Sequence, residues 1–99
     1  MDYKLLINHL QEDKSIEIRP RGNSMQPKIY SKDLLKITSA YEYEVGDIVF
    51  CRVKGNYYIH LITAVTNDGS YQISNNKNHV NGWTKSIFGK VIEVNGHII

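Results

Sequence analysis

The 99-residue chain has one cysteine, two prolines and one tryptophan, and its Lys and Arg outnumber its Asp and Glu by only two, for a formal net charge of +2. Each shortage excludes something. A lone Cys51 cannot close an internal disulfide, which fits a reducing compartment, and it has no nearby cysteine with which to build a Cys-based metal motif. Basic and acidic residues are interspersed, so the charge balance requires neither a nucleic acid nor an acidic membrane as partner. The longest apolar runs are a few residues, against the roughly 20 that span a bilayer, and no basic segment followed by an apolar one opens the chain. These features predict a cytoplasmic protein with no membrane anchor. There is no internal repeat, linker or low-complexity tract, and a chain this short holds a single domain with a modest core.

What is present reads as one short helix followed by strands. Tyr3, Leu6 and Leu10, with Leu5 and Ile7, fall at a spacing that predicts an amphipathic helix over residues 3–13 capped by Asp2, so that 1–15 form an N-terminal helical segment and 16–99 a β core. Ile16 to Arg19 alternates, Leu34 to Thr38 is a short apolar strand, and Asp47 to Val53 is a longer one bounded by Gly46 and a Lys54-Gly55-Asn56 turn. Tyr57 to Thr66 returns as the second arm of that hairpin. Asn67-Asp68-Gly69-Ser70 is a turn, followed by a strand from Tyr71 to Ser74, a polar loop from Asn75 to Gly82, and closing strands near Ile87 to Val94 and His97 to Ile99. Many short strands separated by turns predict a mainly β, partly closed sheet assembly.

The segment Arg21-Gly22-Asn23-Ser24-Met25-Gln26-Pro27 carries the most chemical information. Gly22 can take positive φ at little steric cost and Pro27 fixes its own φ, so the pair can hold Ser24 and its neighbouring amides rigidly in a sharp bend. Downstream come Val45-Gly46-Asp47-Ile48-Val49 and the strand Tyr57-Tyr58-Ile59-His60-Leu61-Ile62. A serine hydroxyl is too weak an acid to ionise unaided at neutral pH, so it needs a base in contact. Histidine, with an ordinary pKa of about 6.5, serves without deep desolvation, whereas a lysine must be buried until its pKa falls by several units. The period of two puts Tyr58, His60, Ile62 and Ala64 on one strand face and Tyr57, Ile59, Leu61, Thr63 and Val65 on the other. A solitary strand histidine reads as a hydrogen-bonded core residue; the serine box and the order of the elements make His60 a candidate base.

These residues resemble the LexA/signal-peptidase superfamily of serine peptidases, whose members share a G-x-S-M-x-P nucleophile box, a hydrophobic strand, a G-D-[IV]-V turn and strand, and then the general base. The resemblance runs from about Ile18 to Val94. LexA-type repressors and bacterial signal peptidases place a lysine where this chain has His60; the signal peptidases of the endoplasmic reticulum and archaea place a histidine. The resemblance therefore implies a Ser24/His60 pair, with the backbone N–H groups of Ser24 and Asn23 as an oxyanion hole, no cofactor and no metal. Histidine-type signal peptidases carry aspartates in a G-D-N-N and a V-D-D segment, which correspond here to Ser74-Asn75-Asn76 and Val80-Asn81-Gly82. The acids are absent, which leaves Asn75, Asn76 or Asn81 as the amide that orients the imidazole. The resemblance also implies a peptide or protein substrate that adds as an extended strand near Met25 and the strand bearing Tyr58, with small side chains beside the scissile bond. LexA-like relatives cut a tethered segment upstream of their serine. Only 23 residues precede Ser24, with no Ala-Gly or Cys-Gly bond among them, so cleavage in trans is expected.

Other residues admit sharper stories with plainer alternatives. Cys51 alternates with Val49 and Val53 and reads as a small buried hydrophobe. Asp47 reads as a brace of its own turn. His60, His79, His97 and Cys51 lack the close spacing of a zinc motif. His79 and Trp83 either wall a site or, for Trp83, anchor a satellite core. Seven tyrosines among scattered lysines and arginines suggest a single-stranded nucleic-acid surface, but no recognised motif accompanies them. Two readings from other classes therefore stand beside the peptidase: a non-catalytic LexA-like dimerisation or protein-binding module of a phage or regulatory kind, and a β-barrel nucleic-acid binder. No helix-turn-helix precedes the β region, so the chain does not read as a complete repressor. The edge strands of an open sheet leave homodimerisation open.

Overall fold

A computed structural model describes residues 1–99. It contains one helix, α1 (Tyr3–Gln11), and eight strands: β1 (Ile16–Ile18), β2 (Leu35–Thr38), β3 (Ile48–Val53), β4 (Asn56–Val65), β5 (Tyr71–Ser74), β6 (Val80–Thr84), β7 (Ile87–Val94) and β8 (His97–Ile98). All pairings are antiparallel, in the order β1-β2-β7-β3-β4-β5-β6, with β8 against β7. The fold is mainly β, as the sequence predicts, and the sheet remains open, with β1 and β6 as its edges.

The helix forms where the apolar spacing and a cap coincide. The Asp2 carboxylate accepts from Leu5 N at 3.1 Å, satisfying one of the amides that a helix start leaves without a partner. Leu10 is buried, and Leu6 and Ile7 pack against the same core. Leu5, read from the sequence as part of the apolar face, is instead exposed. Tyr3 stacks on Tyr57 of β4 with ring centroids 4.4 Å apart.

β3 organises the sheet because both of its faces are buried. Ile48 and Phe50 enter one core with Leu10, Ile16, Ile18, Leu35 and Ile37, while Val49, Cys51 and Val53 enter a second with Ile62 and Ile73. The near-continuous apolar run Ile48-Val49-Phe50-Cys51 is what two-sided burial requires. The β3–β4 turn is a two-residue hairpin in which Lys54 (φ 51°) and Gly55 (φ 84°) both take positive φ, the geometry that matches strand twist.

The second core is enclosed because the sheet folds back on itself. Register shifts leave Thr63 on β4 and Asn81 on β6 as extra residues, bulges that bend the strands. β6 is thereby brought to β3, where Thr84 Oγ1 donates to Arg52 O at 2.6 Å and Arg52 N donates to Ser86 O at 3.0 Å. The sequence reading placed Val80 to Gly82 in a loop, but these residues begin β6. Val80 and Trp83 both remain exposed, so neither apolar residue announces the strand by burying itself, and Trp83 anchors no core.

β7 passes between β2 and β3, pairing with both, and Gly89 permits the crossing. A Cβ there would lie 2.9 Å from Ile37 Cγ2 and 2.9 Å from Thr38 O, and the carbonyl, being backbone, has nowhere to move. Gly89→Ala is therefore expected to destabilise the fold by about 1–3 kcal/mol, the usual cost of overpacking, read as a lower urea midpoint at unchanged m-value.

Candidate active site

Ser24 lies in a turn between β1 and β2 that is held from three directions. Met25 (4% exposed) and Ile29 root the turn in the first core, and Gly22 adopts φ 122°, which a side chain would oppose. Gln26 N donates to Asn23 O at 3.2 Å and Ile29 N to Met25 O at 3.0 Å. From the β5–β6 loop, Asn76 N donates to Ser24 O at 2.9 Å and Asn76 Nδ2 donates to Gln26 O at 2.9 Å. A peptide group is planar with its N–H opposite its C=O. Fixing the Asn23 and Ser24 carbonyls thus also fixes the Ser24 and Met25 amides. The Asn23 and Ser24 N–H groups donate to no protein acceptor, which leaves them free for an oxygen that enters the site.

His60 comes from β4, opposite Val49 and on the face of the second core. It is 8% exposed. Its Nε2 lies 2.9 Å from Ser24 Oγ and its Nδ1 lies 2.7 Å from Asn81 Oδ1. With Asn81 Oδ1 accepting from Nδ1–H, Nε2 carries the lone pair and accepts the Ser24 hydroxyl proton. Tyr58, two residues away on the same face, stacks on the imidazole at 4.9 Å.

Of the three asparagines that sequence alone left open, Asn81 meets the ring. Asn75 Oδ1 accepts from Lys77 N at 2.8 Å and from His79 N at 2.9 Å, shaping its own loop, and Asn76 clamps the serine turn. Asn81 reaches His60 because it is the extra residue of a bulge: Ile73 pairs with Gly82 and Ser74 with Val80, leaving Asn81 without an opposite number. A bulge re-aims a side chain that strict alternation would send elsewhere. The clamp by Asn76 had no sequence signal, since its partner Gln26 lies 50 residues away.

Burial lowers the His60 pKa below its ordinary value, the hydrogen bond that His60 Nδ1–H donates to Asn81 Oδ1 draws it partly back up, and the charge of nearby His79 lowers it further. His60 is thus neutral, and able to accept a proton, at neutral pH. The other candidates fall away from this centre. Cys51 is fully buried and burial pushes its thiol up to about 12, the behaviour of an inert core thiol. Asp47 Oδ2 accepts from Glu44 N at 3.0 Å, bracing its turn. No three His, Cys, Asp or Glu side chains converge where they could hold a metal ion, and no helix is long and apolar enough to cross a membrane.

A cleft of ≈ 690 Å³ opens beside Ser24 and His60. It is lined by the segment from Arg19 to Gly22 and by β4 from Tyr57 to His60. β5 pairs with β4 only from Leu61 onward, so this half of β4 has an edge free of any strand. Met25 contributes its remaining surface to the cleft, and Tyr58 lines it beside the imidazole.

A family model described as Peptidase S24-like matches residues 2–97. No curated protein and no solved structure matches the chain.

Titration of the His60 ring by NMR is expected to give a pKa below about 6.5, and Asn81→Asp, which puts a carboxylate on Nδ1–H, is expected to raise it. The sign for stability follows. As pH falls, the unfolded chain binds this proton first, so the contribution of neutral His60 is full above about pH 6.5 and is lost as pH drops through the lower folded value.

Proposed function

The chain belongs to the Peptidase S24-like family, and from that premise we propose that it is a serine endopeptidase with Ser24 as nucleophile, His60 as general base and Asn81 as the group that orients the imidazole. The observation that carries this reading is the unbroken line from Ser24 Oγ to His60 Nε2 to Asn81 Oδ1. In the acylation step Ser24 Oγ bonds to the scissile carbonyl carbon while its proton passes to His60 Nε2. The carbonyl oxygen takes the negative charge and accepts from the Ser24 and Asn23 amides. Collapse breaks the C–N bond as His60 returns the proton to the leaving amine. Water, giving its proton to the same nitrogen, then bonds to the acyl carbon, and the Ser24 Oγ–C bond breaks as His60 returns that proton to Ser24 Oγ. Each oxyanion donor is worth about 3 kcal/mol of transition-state stabilisation.

The substrate on this reading is an extended peptide that adds to the open edge of β4 and faces the Arg19–Gly22 segment. Cleavage in trans is the mode this reading favours over cleavage within α1 or β1. Those elements are held by the buried Leu10, Ile16 and Ile18, and presenting one of their bonds to Ser24 would dismantle that packing. The peptidase acts without a metal or cofactor, since hydroxyl, imidazole and amide complete the proton transfers.

One observation favours a second reading, a non-catalytic dimerisation or protein-binding module. The group behind His60 is a neutral amide, which fixes the tautomer but stabilises imidazolium less than a carboxylate does. The Coulombic influence of His79 also acts against protonation of His60.

Labelling with a fluorophosphonate probe, read by intact mass, decides between them. A single adduct on Ser24 is expected, absent in Ser24→Ala and slowed on the order of 10²-fold or more in His60→Ala. Its rate should rise through the lowered His60 pKa and level off above about pH 6.5. No adduct in folded protein would favour the binding module. Asn76→Ala is expected to slow labelling about tenfold through a misplaced nucleophile while leaving the His60 titration unchanged, which separates the turn from the base.

A further inference from the structure

The charge of the cleft plays no part in the proton transfers. Arg19 and Arg21 line it and no aspartate or glutamate does, although the chain carries ten acidic residues. The two arginines lie just after β1, outside any strand, and both reach the cleft. Arg19 is partly engaged, its Nη1 donating to Lys32 O at 3.0 Å and its charge acting on the Asp33 carboxylate. Arg21 takes part in none of the ion pairs, which join Lys14 to Glu12, Lys36 to Glu93 and Lys85 to Asp68. The cleft is lined as well by apolar and aromatic groups: Ile29, Phe50 and Ile59, with Tyr30, Tyr57 and Tyr58. The volume of ≈ 690 Å³ falls within the roughly 300–1,000 Å³ of sites that enclose a ligand of several residues' bulk.

We propose that this cleft selects an extended peptide bearing a carboxylate side chain, Asp or Glu, beside a bulky apolar residue, and that Arg21 is the residue that sets the charge preference. Arg21 stands three residues before Ser24, and extended chain advances about 3.3 Å per residue. The carboxylate therefore sits within about three residues of the bond presented to Ser24. The guanidinium is exposed, so its attraction for an anion is that of a solvated, salt-screened pair, and the same field disfavours a peptide with lysine at that position. The placement of the scissile bond rests on the reading of Ser24 as nucleophile; the charge preference belongs to the cleft and stands without catalysis.

The test is an NMR titration of isotope-labelled Ser24→Ala protein, which cannot consume the ligand, with two synthetic peptides: Gly-Glu-Tyr-Ala-Ala-Gly with blocked ends and its counterpart with Lys in place of Glu. The glutamate peptide is expected to bind about fivefold more tightly at low salt, the upper range for an exposed ion pair, with shifts at residues 19–24 and 57–60. The ratio should fall toward one at 1 M salt and invert in the Ser24→Ala protein that also carries Arg21→Glu. Arg21 is exposed, and Arg21→Ala provides a second variant in which the preference should vanish without inverting. Equal affinity for the two peptides, no binding of either, or a preference for glutamate that survives Arg21→Glu would each overturn the proposal. Failure of fluorophosphonate labelling with charge-selective binding intact removes the peptidase reading and keeps this one; labelling without charge selectivity does the reverse.

Discussion

Two-sided burial of β3 is the constraint on which the rest of the molecule depends. A 99-residue chain has too little interior for a thick single core. By burying Ile48 and Phe50 on one face and Val49, Cys51 and Val53 on the other, one six-residue strand serves two cores. The first needs α1, β1, β2 and β7 as its cover. The second needs the sheet to bend until β5 and β6 close over it, and the bulges in β4 and β6 supply the bend. The same bulges that complete the core therefore shape the place where chemistry is proposed.

The candidate site is assembled where those two cores meet. The Ser24 turn is rooted in the first through Met25 and Ile29, and His60 projects from β4 on the side of the second. Asn76 and Asn81 cross the gap, one holding the turn and one holding the ring. Each polar contact is backed by packing, so serine and imidazole meet at 2.9 Å without relying on a flexible loop to bring them together. The choice of histidine suits so thin a fold. A lysine base requires burial deep enough to move its pKa by several units, whereas histidine needs no large shift to be neutral at neutral pH.

Much of this was legible from local pattern. The helix and its Asp2 cap, the Lys54-Gly55 hairpin, the alternating faces of β4 and the burial of Cys51 all follow from short-range rules of period, capping and turn conformation. The failures share a cause. β6 escaped notice because Val80 and Trp83 lie on the exposed side of an edge strand and Gly82 breaks the pattern, at φ 143° against Val53. Leu5 escaped because helical spacing gives an apolar stripe but does not say where its border falls against the neighbouring strands.

The sequence by itself determined the residue types of the site and their order along the chain: a serine held between Gly22 and Pro27, a histidine on a strand that follows a Gly-Asp turn, and asparagines at the positions where acids are missing. Only the tertiary structure decided which asparagine serves which partner, that the arginines preceding Ser24 line one cleft with several tyrosines, and that the near half of β4 is left with an open edge. Those outcomes depend on a one-residue register shift at Asn81 and on contacts across 21 to 50 residues of chain. Local propensity fixes dihedral angles within a few residues; it carries no information about which distant backbone arrives alongside, and a bulge reverses the facing that alternation would assign.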